Sequence, residues 1–321
     1  MTIWLRMLLI SAALMSTSAF AQTYPTRSVT IIAATTPGSL PDLLARAVGQ
    51  RLSQKWGQPV VIENRAGGGY AIAASAVTNA ASDGYTLLVS EAALYTIQPH
   101  LLKGRSAYAP NDFVPVSGTA SVPLAFVAHP SLEANSIRDL IALAKAKPGA
   151  LNYGTAGPGT APHMAMALLE SMTRIKLTAV HYRGISQAIN DLLAGHIPLL
   201  AIGHSTVIPA IKAGRLKILG VGSSQPIPEL KGAPTVAETV PGFEVSVSFP
   251  IFARTGTPRE IVAKINTDVQ QIVRDPEFQK QFLQPQALQP MVGSPEQLAS
   301  ILASESGKWQ KLIRDANLTI E

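Results

Sequence analysis

Two stretches of the sequence place glycine, proline and hydroxyl residues where a β-branched run gives way to an amphipathic one: IIAATTPGSLPD at residues 31–42 and LNYGTAGPGTAPH at residues 151–163. A strand that enters a Gly/Pro turn and leaves it as a helix aims the unpaired N–H groups of the first helical turn outward. The positive end of the helix dipole lies behind them, and such a turn binds anions. In a doubly wound sheet these turns sit at the carboxyl ends of strands, where ligands settle at a switch point. Two of them facing each other would hold an anionic group between them, or one at each end of a longer molecule. The expected donors are the N–H groups from Gly38 through Ser39 to Leu40, and those from Gly157 through Gly159 to Thr160.

Each residue also has a plainer reading. Ser39 and Asp42 have the S-x-x-D spacing of a capping box, which would make Asp42 a cap of its own helix. Thr160 can be an N-cap with Pro162 in the first turn. A single histidine such as His163 is more often packed or exposed than ligand-binding. The pairing of two such loops is what raises the functional reading above these.

Enzyme signals are poor by comparison. GHSTV, residues 203–207, begins like a G-x-S-x-G nucleophile elbow but has Val207 where the second glycine is needed. GTAGPGTA lacks the lysine of a phosphate-binding P-loop, and AGGGYA is only a glycine run. The histidines at 100, 129, 163, 181, 196 and 204 show no metal-binding spacing. No nucleophile, base and orienting group can be assigned together, so no catalytic residue, metal or cofactor is expected.

Residues 1–21 read as an export signal. Arg6 gives the positive start, Met7 to Met15 a short apolar core, and Ser18-Ala19-Phe20-Ala21 the small-x-small end, so cleavage is expected before Gln22. The core is shorter than the roughly 18 residues that a membrane span needs. With no cysteine, disulfides, thiolate chemistry and lipid attachment are excluded. The formal charge of +6 is spread over scattered lysines and arginines, with no run of the kind nucleic acid requires.

The elements that must position the loops follow from the alternation of β-branched and amphipathic stretches, the mark of an α/β protein with parallel sheets. Strands are expected at 28–33, 59–63 and 85–90, with helices after the first two, as a βαβαβ half. Residues 91–120 read as irregular. Strands follow at 124–128, 151–154, 178–181, 199–202, 218–221 and near 245–252, with helices at 137–146, after His163, and at 186–193. Helices at about 258–273, 276–283 and 295–315 close the chain. Residues 22–321 are more than one small core needs, which suggests two domains.

In their order and spacing, YPTRSVTII, GQPVVIENRAGGG, SDGYTLL, NDFVPV, AKAKPGALNYGTAGPGTAPH, HYRG, AGRLKILGV, APTVAETVPGFE and RTGTPREIVAKIN resemble the Bug-type extracytoplasmic solute receptors of tripartite tricarboxylate transporters. The resemblance covers nearly all of the mature chain. It implies an α/β periplasmic binding protein, type II-like, with two doubly wound lobes around a cleft. Lobe 1 would be residues 22–122 plus 248–321 and lobe 2 residues 123–247. It further implies a periplasmic monomer that takes up a small carboxylate, an organic acid or an amino acid, and hands it to membrane permease subunits.

By position, the first ligand loop would be Ala34 to Asp42, including Thr35, Gly38, Ser39, Leu40 and Asp42. The second would be Thr155 to His163, with Thr155, Gly159, Thr160 and His163 on the pattern S/T-x-G-x-G-T-x-x-H, and Ser90 would be a cleft residue. The first loop departs from the family's P-x-P-P-G-G-x-T-D at Ala34, Thr36, Ser39 and Pro41. Ser248 and Pro250 stand where a tryptophan and a glycine are usual, so no ligand identity carries over. A receptor that presents its loaded form to a membrane sensor would have the same cleft, and an exported enzyme acting on a carboxylate is the alternative from another class.

Overall fold

The computed structural model describes residues 24–318 apart from 103, 183, 228, 229 and 231; the expected signal segment lies outside the described residues. The chain begins β1 (Val29–Ala33), α1 (Leu40–Trp56), β2 (Val60–Asn64), α2 (Ala71–Thr78), β3 (Thr86–Val89), two short helices α3 (Ala93–Thr96) and α4 (Gln98–Leu101), and β4 (Phe113–Ala128). It continues α5 (Ile137–Ala146), β5 (Asn152–Thr155), α6 (Ala161–Thr173), β6 (Thr178–His181), α7 (Ile185–Leu193), β7 (Leu199–Gly203), α8 (Ile208–Lys212) and β8 (Lys217–Val221). It ends with β9 (Ser246–Arg254), α9 (Arg259–Arg274), a helical turn at Pro276–Phe278, β10 (Gln289–Pro290) and α10 (Pro295–Asp315).

The strands run in the order β2-β1-β3-β9-β4-β7-β5-β6, with β8 and β10 pairing to β4 off this path. β1 lies parallel between β2 and β3, and β5 parallel between β6 and β7. Apart from Thr30 the β1 residues are apolar on both faces because helices cover both: Val29, Ile31 and Ala33 enter one core cluster and Ile32 another. A continuous apolar run is what a parallel strand buried on both sides requires.

β4 joins the two halves of the sheet. From Phe113 to Pro123 it pairs antiparallel with β9; from Leu124 to Ala128 it lies between β7 and β8. The expectation of irregular chain over 91–120 is corrected here, since α3, α4 and the first part of β4 fall within it. Its prolines suggested turns, but the register shifts between Pro115 and Ser117 and between Gly118 and Ala120. At such bulges a proline costs no ladder bond. α8, a short helix with Pro209 in its first turn, falls between the strands expected at 199–202 and 218–221, where no helix was expected.

α10 ties the halves together from outside the sheet. Leu298 and Leu302, near its start, pack with Ile32, Leu88 and Phe252. Trp309, Leu312 and Ile313, near its end, pack with Leu124, Phe126 and Met164, a cluster that Ala93, Ile97 and Leu101 also join. These positions form one helical stripe, on a helix whose 21 residues span roughly 30 Å.

Candidate functional site

After β1 the chain turns through Gly38, whose φ of 79° is open to glycine and costly to other residues. The Gly38 N–H donates to Asp42 Oδ2 at 2.8 Å. The Ser39 hydroxyl donates to the Thr36 carbonyl at 2.8 Å and lies 2.6 Å from Thr35 Oγ1. With its one proton so placed, Ser39 must accept from Thr35. Asp42 is 2% exposed. Its Oδ1 takes Asn64 Nδ2 at 2.8 Å and Arg46 Nη2 at 3.0 Å, and its Oδ2 also takes Arg46 Nε at 3.1 Å.

The S-x-x-D spacing therefore does not form a capping box. Ser39 makes no side-chain bond to a helix N–H, and Asp42 reaches back to Gly38, one residue before the cap. Burial pushes the Asp42 carboxyl up, but bonds from Arg46, Gly38 and Asn64 outweigh it and hold the group below the usual carboxylate range.

The second loop repeats this arrangement. Gly159 has φ 73°, and its N–H donates to His163 Nδ1 at 3.1 Å. The Thr160 hydroxyl donates to the Gly157 carbonyl at 2.7 Å. PGSLPD (37–42) and PGTAPH (158–163) are thus one local structure used twice, each with proline in the first turn of its helix. Behind the second loop, Thr155 Oγ1 accepts the Gly157 N–H at 2.9 Å and pairs with His181 Nδ1 at 2.9 Å. Burial, with the nearby His181, lowers the His163 pKa to about 4, and the two rings meet edge to face at 5.3 Å. His163 is neutral at pH 7, with Nδ1 as acceptor.

Both loops border one cavity of about 470 Å³, within the ~300–1,000 Å³ range of small-molecule sites. Four helices start at it, two from each half of the sheet: α1 at Leu40, α2 at Tyr70, α6 at Ala161 and α7 at Gly184. Among the described residues, the first-turn N–H groups of Leu40 and Ala161 have no acceptor. Val122, Leu124, Ile202, Val247 and Phe249 supply an apolar floor where β4, β7 and β9 meet. Four positive helix ends over an apolar floor suit a small anion with a carbon body.

A model of the tripartite tricarboxylate transporter family receptor matches residues 44–318. The chain belongs to this receptor family. It is 35% identical over 315 residues to a protein from the tcbD-tcbE intergenic region of Pseudomonas sp. (strain P51), covering 96% of this chain and 93% of that one. To BugT of Bordetella pertussis it is 30% identical, covering 94% and 93%. Among solved structures, Rpa4515 of R. palustris with adipate superposes with a TM-score of 0.82 at 34% identity, covering 92% of this chain and 99% of that one. MatC of Rhodopseudomonas palustris, with bound malate, gives 0.78 at 26%, covering 90% and 100%. The protein is a Bug-type, TctC-like solute-binding receptor with the mixed α/β fold of periplasmic binding proteins.

In this TctC-type receptor, Thr35, Ser39, Leu40 and Thr160 line the cavity. Gly38, Asp42, Gly157, Gly159, Thr155 and His163 lie behind the lining, where they fix the two turns through the bonds above. The N–H groups of Gly157 and Gly159, expected as ligand donors, are occupied by Thr155 and His163. The first-turn groups at Leu40 and Ala161 remain for a ligand. Ser90 is fully buried at the end of β3, its hydroxyl has no partner among the described residues, and it does not border the cavity.

Among the lining residues that the sequence did not point to, Tyr70 and Glu91 carry polar chemistry. Tyr70, in a left-handed conformation at φ 73°, donates its hydroxyl to Glu91 Oε2 at 2.9 Å. Glu91 was legible as an acid two residues beyond the apolar strand TLLV, after Ser90, at a carboxyl end where the fold class places ligands. Burial pushes its carboxyl above the usual range, opposed by the Tyr70 bond. No group of three or more metal-ligating side chains gathers among the described residues.

Proposed function

We propose that this receptor captures a small carboxylate between two lobes and delivers it to the permease subunits of a tripartite-type membrane transporter, working in the periplasm after cleavage before Gln22. The observation that carries the reading is the duplicated turn, which brings the starts of α1 and α6 to one cavity from opposite halves of the sheet. The lobes are taken as 22–122 plus 248–321 and 123–247. The change of β4's partners after Pro123 supports that division, with α10 bridging both.

One carboxylate oxygen would accept from the Leu40 N–H and its fellow from the Ala161 N–H, the hydroxyl protons of Thr35, Ser39 and Thr160 being held within the two turns. Charge-assisted bonds of this kind contribute about 1.5–3 kcal/mol each. Two such bonds together with burial of the ligand's carbon body on the apolar floor, less the cost of association, suit a micromolar complex at about −8 kcal/mol. Only the closed form touches the ligand from both sides, so binding favours closure. That Rpa4515 was solved with adipate and MatC with malate supports a carboxylate as ligand.

A thermal-shift screen of mono-, di- and tricarboxylates and amino acids tests this. A ligand at 100 times its dissociation constant adds about 2.7 kcal/mol of stability, a shift of several degrees. A flat response to every acid would overturn the reading.

A further inference from the structure

Glu91 is the one charged side chain among the described residues lining the cavity. Every other polar lining group among the described residues is a hydroxyl or a backbone amide, and four helix N-termini face the same space. A cavity built to hold anions thus contains a built-in anion. Its carboxylate has a single hydrogen-bond partner among the described residues, the Tyr70 hydroxyl on Oε2, and no described lysine, arginine or histidine forms an ion pair with it. Glu91 is half-buried; partial burial raises its carboxyl above the usual range, and a cation placed against it would favour the charged form.

The contrast with Asp42 is sharp. Asp42 is equally acidic in type and stands in the loop itself, but Gly38, Asn64 and Arg46 take both of its oxygens. It has nothing left to offer a ligand. Among the described residues, Glu91 Oε1 has no hydrogen-bond partner, and it lies on the wall of the same cavity.

We propose that Glu91 is the counter-charge for a protonated amine on the ligand, so that this receptor selects amino carboxylates over dicarboxylates and over unsubstituted monocarboxylates. The inference rests on the cavity being the carboxylate site. The ligand's carboxylate then lies at the starts of α1 and α6, its carbon body on Val122, Val247 and Phe249, and its ammonium on Glu91 Oε1, with Tyr70 fixing the rotamer of the acid. A second carboxylate on the ligand would meet Glu91 as a like charge, which is how a site rejects a wrong partner.

The test is calorimetric titration at pH 7.5 of the full mature protein and of Glu91→Gln, with matched sets of three to six carbons: apolar α-amino acids and ω-amino acids, their deaminated monocarboxylates, and the α,ω-dicarboxylates. In the unaltered protein the tightest ligand is expected to carry an amine and to bind at least about 30-fold more tightly than its deaminated match. In Glu91→Gln that advantage shrinks to within about threefold, and dicarboxylates gain affinity.

Dicarboxylates or plain monocarboxylates that bind the unaltered protein as tightly as their amine-bearing matches would overturn the assignment while leaving the carboxylate site intact. An amine advantage that survives Glu91→Gln would do the same. If no member of any set binds, the carboxylate reading falls and this inference with it. The comparison within the unaltered protein stands whether or not the variant folds.

Discussion

Asp42 and His163 hold equivalent places in the two loops: each accepts the N–H of a positive-φ glycine four residues earlier, at 2.8 Å and 3.1 Å. The same turn is thereby locked by an anion on one side and a neutral ring on the other. Asp42 has Arg46 as its counter-ion, while His163 sits against His181 and is kept uncharged. Neither lock adds uncompensated charge to the cavity, so among the described residues the helix starts and Glu91 set its electrostatics.

Asp42→Ala removes the acceptor for Gly38, Asn64 and Arg46 together. The buried donors left behind predict a loss of about 2–3 kcal/mol in urea unfolding, with weaker ligand binding because the turn loosens. Stability equal to that of the unaltered protein would contradict the role of Asp42 as a lock.

Gly38→Ala isolates the turn's backbone. Nothing lies within 4 Å of a Cβ at this position, so the φ of 79° is the sole obstacle, worth about 1–2 kcal/mol. Gly214 has a similar φ of 68° and equally open surroundings, and it does not border the cavity. Both alanine variants should lose comparable stability by thermal unfolding, while calorimetric affinity falls in Gly38→Ala alone.

His163 makes stability depend on pH. Its folded pKa of about 4 lies below the ordinary 6.5, so the unfolded chain binds a proton that the folded chain refuses. The stability is fully present above pH 6.5 and is lost as pH falls toward 4, by up to roughly 3 kcal/mol. His181, also lowered by burial, acts in the same direction. Urea unfolding at pH 7.5 and 4.5 should show a smaller drop in His163→Asn than in the unaltered protein; equal drops would show that His163 is not the titrating group.

Much of this architecture was legible because it depends on local pattern. The helices at 137–146 and 295–315 and the strand at 178–181 fall where periodicity and caps place them, and the two Gly/Pro turns stood out by composition alone. What escaped was set by tertiary pairing. Residues 113–120 form strand because β9 lies alongside and bulges absorb Pro115. Asp42 serves the turn because Asn64 arrives from β2, a contact that no spacing announces. Glu91 becomes part of the cavity only once β3 and α2 bring it to Tyr70.

The central claim, that the paired helix starts recognise a negative carboxylate, is tested most directly by calorimetry with one acid from the screen and its primary amide, which keeps the shape and loses the charge. The acid should bind in the micromolar range and the amide at least about 30-fold more weakly, in line with charge-assisted bonds of about 1.5–3 kcal/mol each. Equal affinity for acid and amide would contradict it.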